Sequence, residues 1–161
     1  MTYAKTTTVS PDKSKAEIER ILRRYGADQF GYSSLTPEHG PSRAIVVFKV
    51  QGLMVRLPIT LPDRNDVQFQ RTPVNKNWRS PEATEAAWEQ ACRQRWRALV
   101  LFTKATLEAV EAGIITLDQA FLAHIILPNG QTTYEWIHPQ MQLALAEGKM
   151  PTQFMLGPGN G

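Results

Sequence analysis

The sequence contains very little cysteine, since Cys92 is the single cysteine among 161 residues. One cysteine cannot form an internal disulfide, and it excludes a CxxC zinc or redox motif. Long apolar runs are also missing, because no stretch approaches the ~18 residues that a membrane-spanning helix needs. Three consecutive threonines, residues 6–8, occupy the place where a signal peptide would carry its apolar segment. We therefore expect a cytoplasmic protein that does not bind membranes.

Residue patterns typical of catalysis are scarce as well. The chain has three histidines, and it contains no HExxH, GxSxG or Walker GxxxxGK[ST] motif. Glu135 and His138 have the i, i+3 spacing that lets a carboxylate and an imidazole share a metal, but a metal site usually needs three or four ligands. A solvated helix end is the alternative explanation for this pair. We expect no enzyme activity, no metal site and no cofactor.

The overall composition is that of an ordinary globular domain. Hydrophobic residues make up 42% of the chain and charged residues 20%, which argues against disorder and predicts a real core. The length fits a single domain, which we place at residues 1–150. Residues 151–161 are expected to form a flexible tail, because four of the last five residues are glycine or proline.

The charges are distributed unevenly along the chain. Residues 1–104 contain 17 lysines and arginines against 10 aspartates and glutamates, whereas residues 105–161 contain 1 against 5. A basic part suits phosphate binding, which needs clustered cations whatever the total charge, and an acidic part suits self-assembly. Simple scatter of charges is the alternative that composition leaves open.

The clearest local pattern is a β-hairpin. Residues 43–50 and 53–61 are rich in β-branched and aliphatic side chains and meet at a Gln-Gly pair, residues 51–52. Both faces of this hairpin are apolar enough to need cover, and Pro58 indicates an edge strand or a strand end. Residues 27–34 supply a third, short strand.

A long helix is predicted from Ser80 to Ala112. Ser80 has the position of an N-cap, and Pro81 suits the first helical turn. Cys92 lies on an apolar stripe of this helix, so we expect a buried thiol rather than a reactive one.

Shorter helices are expected on both sides of this framework. A capping box at 14–17 predicts the start of the first helix, which ends at Gly26. A second capping box at 116–119 predicts a helix that continues through Ile126, and Thr133 is a candidate cap for a last helix.

Together these elements predict an α+β fold. A small three-stranded antiparallel β-sheet packs on the one long α-helix, and a helical C-terminal part follows. The predicted core comprises Val46, Phe48, Val55, Leu57, Trp96, Leu99 and Phe102.

A nucleic-acid interface is predicted from cations interleaved with aromatic residues. Cations bind phosphates, and flat side chains stack on bases without regard to sequence. The basic loop 63–80 combines both and has no helical or strand period. Alternatively, Trp78 packs onto the start of the long helix and the cations are solvated. The candidate residues, which could form one groove, are Arg43, Lys49 and Arg56 on the hairpin, Arg64, Phe69, Arg71, Lys76, Trp78 and Arg79 in the loop, and Arg93 and Arg97 on the long helix.

Three stretches resemble a family of small, uncharacterised proteins of bacteriophages and prophages. They are AEIERILRRYG at 16–26 with its continuation to residue 32, WEQACRQRWRAL at 88–99 and FLAHIILPNG at 121–130. This resemblance implies a role in DNA replication, in recombination or in defeating host defences, inside the bacterial host cell. The order of the elements is also similar to that of phage single-strand annealing proteins, which is an analogy of fold alone.

We therefore expect a non-catalytic protein that binds or anneals single-stranded DNA. The alternative is a phage protein that binds and inhibits a host factor, as an anti-defence or regulatory protein. The edge strand, the long helix and the acidic C-terminal part further predict a homo-oligomer.

Overall fold

The structure is a computed structural model that describes residues 4–35, 37 and 40–150. The tail predicted at 151–161 lies outside the described residues. The described part has the predicted α+β architecture, with one three-stranded antiparallel sheet and one helix much longer than the others. The elements in chain order are α1 (Pro11–Arg24), β1 (Ala27–Leu35), β2 (Arg43–Val50), β3 (Leu53–Thr60), α2 (Val67–Gln70), α3 (Pro81–Glu111), α4 (Leu117–Phe121), a 3-10 turn (Leu122–His124) and α5 (Thr133–Glu147).

Helix α1 begins earlier than the capping box at 14–17 predicts. Its N-cap is Ser10, whose hydroxyl accepts a hydrogen bond from the backbone N–H of Lys13, and Pro11 occupies the first turn. Ser14 is instead buried inside the helix. The Ser-Pro pair is the stronger start signal, because proline fixes a helical φ where no N–H partner is needed.

The sheet has the order β1-β2-β3, and both neighbouring pairs are antiparallel. Strands β2 and β3 pair without interruption, whereas the register of β1 against β2 shifts between Ala27 and Gln29. Gln51 and Gly52 form the tight turn with φ values of 49° and 81°. A two-residue turn with both φ values positive matches the twist of its strands. Pro58 stands opposite Ile45 and remains within β3, which is an edge strand of the sheet as predicted.

One face of the hairpin packs into the core. This corrects the expectation that both faces need cover. Residues of β2 alternate between buried and partly exposed positions, and the buried set joins side chains of α1 and α3 in one core. On the other face Ile45 and Val47 are only half-buried. The buried residues of the covered face are Ala44, Val46, Phe48 and Val50 from β2 and Val55, Leu57 and Ile59 from β3.

Helix α3 confirms the predicted long helix. Ser80 is its N-cap and accepts a hydrogen bond from Ala83 N–H, and Ala112 is its C-cap. Gly113 follows with a φ of 72°, a conformation that few other residues adopt. Its buried stripe consists of Cys92, Trp96, Val100, Thr103 and Leu107.

Most of the predicted core is confirmed, but the prediction that Phe102 belongs to the core is wrong. Its side chain is 43% exposed, and its ring lies 6.4 Å from the ring of His124. One residue is 100° of rotation, so Phe102 is turned away from the stripe that contains Thr103. Leu99 is only partly buried against the core. The confirmed members are Val46, Phe48, Val55, Leu57 and Trp96.

The C-terminal part departs from its prediction at two points. The helix expected to reach Ile126 ends at Phe121, and after the 3-10 turn Ile125 bridges to Val55 of β3. Ile126 N–H donates to the Met54 carbonyl at 2.8 Å, so this segment occupies part of the β3 edge. The N-cap of α5 is Thr132 rather than its neighbour, with a complete capping box. Among the described residues, no helix is long and apolar enough to cross a membrane.

Candidate nucleic-acid interface

The basic loop between β3 and α3 contains more structure than its sequence predicts. It includes the short helix α2, which Asp66 caps by accepting a hydrogen bond from Gln68 N–H. After α2 the chain folds back on itself, and Arg71 bridges to Trp78. Arg79 N–H donates to the Gln70 carbonyl at 2.8 Å, and this hydrogen bond joins the two ends of the loop. We call residues 71–78 the tryptophan loop.

Trp78 projects from the tryptophan loop into solvent. Its side chain is 67% exposed, so it does not pack onto the start of α3. The guanidinium carbon of Arg71 lies 4.2 Å from the centroid of the indole ring, a cation–π contact. The same guanidinium donates to the Lys76 carbonyl at 3.4 Å. The loop therefore holds its aromatic ring beside a positive charge while most of the ring remains accessible.

Lys76 and Arg79 extend this positive charge. Lys76 is exposed and Arg79 is half-buried, and no carboxylate among the described residues lies within salt-bridge distance of either. Arg79 lines an open groove of about 940 Å³ between the end of β3, the basic loop and α3. The predicted cations Arg71, Lys76 and Arg79 thus lie close to Trp78 along the chain.

The groove contains two cations that sequence reasoning missed, Lys5 and Arg95. Arg95 is exposed, and no ion pair joins it to a described carboxylate. The α3 side of the groove mixes alanines with longer polar and apolar side chains, so no regular sequence pattern predicts it. Acidic groups are also present, because Asp63 and Asp66 line the same groove.

Phe69 does not belong to an exposed stacking surface. Only 6% of its side chain is exposed, and it forms part of the groove wall. A buried ring cannot receive a base, so its role is to support the basic loop. Its position on α2 explains this burial, because a short helix must bury an apolar side chain to hold against α3.

Four of the predicted cations are paired with carboxylates. A cation whose charge is already balanced has less to offer a phosphate than an unpaired one. The partners come from distant parts of the chain as well as from the same helix. The pairs are Arg64 with Glu85 at 2.5 Å, Arg97 with Glu17 at 2.5 Å, Arg93 with Glu89 at 3.7 Å, and Arg56 with Glu135.

The cations of the hairpin share one face of the sheet and lie apart from those of α3. Strand register places Arg43, Lys49 and Arg56 on the less buried face of the sheet, because their partners Thr60, Met54 and Val47 alternate with the core residues. Helix α3 packs against the opposite face. The structure therefore does not bring the eleven candidate residues into one groove.

The groups that were weighed for catalysis are engaged in structure. Burial, followed by the charges of Glu85 and Glu89, raises the pKa of Cys92 to about 11. Glu135 accepts from Thr132 N–H at 2.7 Å, and this backbone hydrogen bond is the main reason that the pKa of Glu135 is lowered. No cluster of three or more potential metal ligands occurs in the part of the chain that the structure describes.

Comparisons with protein-family models, with curated proteins and with solved structures find no match to this chain. The resemblance to phage proteins therefore stays a prediction.

Proposed function

We propose that this chain is a non-catalytic protein that binds or anneals single-stranded DNA during phage replication or recombination, in the cytoplasm of the bacterial host. The observation that carries the proposal is the exposed ring of Trp78, held against Arg71 and followed by the unpaired Arg79. A nucleic-acid base is a ligand that fits this arrangement, because its flat face can stack on the exposed indole ring while its phosphate meets the neighbouring cations.

Single-stranded DNA provides such a surface together with negative charge. Its unpaired bases have free π-faces, and its backbone carries one phosphate per nucleotide. In a duplex the base faces are already stacked on one another, so Trp78 would have nothing to stack on. The combination of one ring with adjacent cations therefore favours the single strand.

The backbone of the bound strand is expected to follow the groove beside the tryptophan loop. Lys76 would contact the phosphate next to the stacked base, and Arg79 leads into the groove where Arg95 and Lys5 continue the positive charge. Asp63 and Asp66 face the same groove but are held by local hydrogen bonds to Asn65 and Gln68. Arg56, Arg64, Arg93 and Arg97 are excluded from the proposed contact set because each has a carboxylate partner.

The test compares two variants of the tryptophan loop by fluorescence anisotropy of a labelled oligo-dT. Trp78→Ala should weaken binding by about 1–3 kcal/mol, the usual contribution of one base–aromatic stack, with little change in salt dependence. Val74→Ala is the matched control, because Val74 is 86% exposed in the same loop but has no π-face. Equal affinity of the wild type and Trp78→Ala would contradict the proposal.

A second outcome would favour the alternative function. If the protein binds no oligonucleotide and a host protein is retained by the wild type but not by Trp78→Ala, the tryptophan loop is a protein-binding site. Inhibition of a host factor would then replace DNA binding as the proposed function.

A further inference from the structure

A cavity of about 390 Å³ lies where the start of α1 and the first half of α3 meet the end of the sheet. Three side chains of α3 line it at intervals of four residues, Trp88, Cys92 and Trp96, so they follow one face of the helix. Clefts of roughly 300–1,000 Å³ with mostly apolar walls and a few polar groups are the usual sites for small molecules. We call this site the core-end cavity.

One buried polar side chain of the core-end cavity has no partner in the fold. Ser42 comes directly before β2, lines the cavity and is only 9% exposed. Its backbone carbonyl accepts from Leu61 N–H at 2.8 Å, but no hydrogen bond joins its hydroxyl group to a described residue. Burying a hydroxyl group without a hydrogen bond is costly. A ligand that offers a hydrogen-bond acceptor at this point of the cavity is therefore favoured.

The cation of the core-end cavity is Lys15 of α1. Its ammonium nitrogen lies 4.8 Å from the ring centroid of Tyr32 and 5.1 Å from that of Trp96, so two aromatic rings hold it beside the cavity. Its carboxylate partner Asp12 is 3.1 Å away, but Asp12 is 88% exposed and lies outside the lining of the cavity. Such an exposed ion pair contributes little to stability, so a carboxylate bound in the cavity can replace Asp12.

The other charges that line the core-end cavity balance each other. The Arg93 guanidinium lies 3.7 Å from the Glu89 carboxylate, and it also donates to the Gln90 amide oxygen at 2.7 and 2.9 Å. Among the described residues of the lining, Lys15 is thus the cation that no lining carboxylate balances. One such cation matches one negative charge, which favours a monoanion over a polyphosphate.

We propose that the core-end cavity binds a small aromatic carboxylate. The aromatic ring packs against the indole groups of Trp88 and Trp96, because flat apolar rings match one another in shape and polarity. The carboxylate accepts hydrogen bonds from the Lys15 ammonium and the Ser42 hydroxyl. One ligand thereby supplies partners for the apolar walls, for the cation and for the buried hydroxyl group.

The core-end cavity is separate from the groove beside the tryptophan loop. The two are lined by different faces of α3, since Ala87, Ala91 and Ala98 belong to the groove. The cations that line the groove, Lys5, Arg79 and Arg95, are absent from the lining of the core-end cavity. The proposed site therefore does not depend on the proposed function.

Isothermal titration calorimetry with 2-naphthoate as the probe tests the proposal, and 2-naphthamide is the control ligand of the same shape without the charge. The wild type should bind naphthoate with a Kd of roughly 0.1 mM, as expected of so small a ligand, and naphthamide at least tenfold more weakly. Lys15→Met should weaken naphthoate binding at least tenfold, because it removes the charge and keeps an unbranched side chain. Lys13→Met is the matched control, since Lys13 is exposed on α1 outside the lining, and it should bind as the wild type does.

Ser42→Ala tests the second polar contact and separates binding from folding. The loss of one hydrogen bond should weaken naphthoate binding about threefold to tenfold. Because the hydroxyl group has no partner in the fold, the midpoint of thermal denaturation without naphthoate should stay within about 2 °C of the wild-type value. Unchanged naphthoate binding would contradict the role of Ser42.

The indole N–H signals of the four tryptophans show where the probe binds. They are resolved in ¹H–¹⁵N NMR spectra and assigned by substituting Trp78, Trp88 and Trp136 in turn by phenylalanine. Naphthoate should shift the signals of Trp88 and Trp96, which line the core-end cavity, and leave those of Trp78 and Trp136 unchanged.

Three further results would overturn the proposal. The first is a wild type that shows no saturable binding up to roughly 5 mM naphthoate. The second is equal binding of naphthamide, or an equal loss for Lys15→Met and Lys13→Met, either of which would contradict recognition of the charge. The third is a set of shifts confined to Trp78 or Trp136, which would place the probe at another surface. These measurements contain no DNA, so their failure is distinguishable from failure of the proposed function.

Discussion

The tryptophan loop and helix α5 both expose a tryptophan, yet their surroundings are opposite in kind. Trp78 has Arg71 against its ring and Lys76 and Arg79 nearby, whereas Trp136 belongs to a helix whose only charges are two glutamates near its ends. Single exposed apolar side chains are common on protein surfaces, so exposure alone does not assign a ligand to either region. The neighbouring charge is what distinguishes the two regions, and it is the reason that the proposal of a polyanionic ligand is made for the tryptophan loop.

Both regions are connected to the same hydrophobic core of sheet and helices. The Phe48 ring of β2 meets the Phe121 ring of α4 edge to face, with centroids 5.5 Å apart. Phe48→Ala would leave a cavity at the point where α4 joins the sheet, and it should lower the free energy of unfolding by about 3–5 kcal/mol. Chemical denaturation measures this loss. A loss below about 1 kcal/mol would contradict the close packing of Phe48 against Phe121.

The reactivity of the Cys92 thiol tests whether the packing around α3 excludes solvent. Because burial raises its pKa from 9.0 to about 11, the thiolate fraction near pH 8 should be about a hundredfold lower than for an unperturbed thiol. A disulfide reagent such as DTNB should react slowly with the native protein and rapidly after denaturation in guanidinium. The pKa is raised, so the rate should increase as the pH rises toward 11. Rapid reaction of the native protein at pH 8 would contradict the burial of Cys92.

Salt dependence sharpens the comparison between paired and unpaired cations. Removing one phosphate contact lowers the slope of log affinity against log salt by roughly 0.7 for a single strand. Arg79→Ala should show this decrease in anisotropy titrations, because no carboxylate of the described residues pairs with Arg79. Arg64→Ala is the control, since Arg64 is already paired with Glu85, and its slope should match the wild type. Equal decreases for both variants would mean that pairing does not decide which cations bind.

The smallest effects are expected from the exposed residues of both regions. Trp78→Ala and Leu143→Ala each remove a side chain that is more than half exposed, so each should change the free energy of unfolding by no more than about 0.5 kcal/mol. Thermal denaturation at low protein concentration measures this. A loss of 2 kcal/mol or more, the size of a core truncation, would show that the residue concerned is structural.

The long helix and the hairpin could be predicted from the sequence because their signals are local. Ser80 with Pro81 starts α3, and the Gln-Gly pair at 51–52 fixes the hairpin turn. Burial along α3 was harder to predict, because apolar side chains of this 31-residue helix lie beside the buried stripe as well as on it. Phe102 and Leu99 were misplaced for this reason.

The candidate interface was harder to predict than the fold. Whether a cation is free depends on carboxylates far away in sequence, as when Arg97 of α3 meets Glu17 of α1. The same limit applies to aromatic residues, because the basic loop buries Phe69 and exposes Trp78 for reasons of tertiary packing. Composition identified the loop, and only the folded chain separated its two rings.

Anisotropy of labelled oligo-dT and of its duplex with oligo-dA, titrated with the wild-type protein at two salt concentrations, tests the central claim most directly. At about 50 mM salt the single strand should bind at low micromolar protein, bind more tightly than the duplex, and weaken linearly in log salt. Absence of binding to either form under these conditions, or equal binding of both, would contradict a tryptophan loop built for single-stranded DNA.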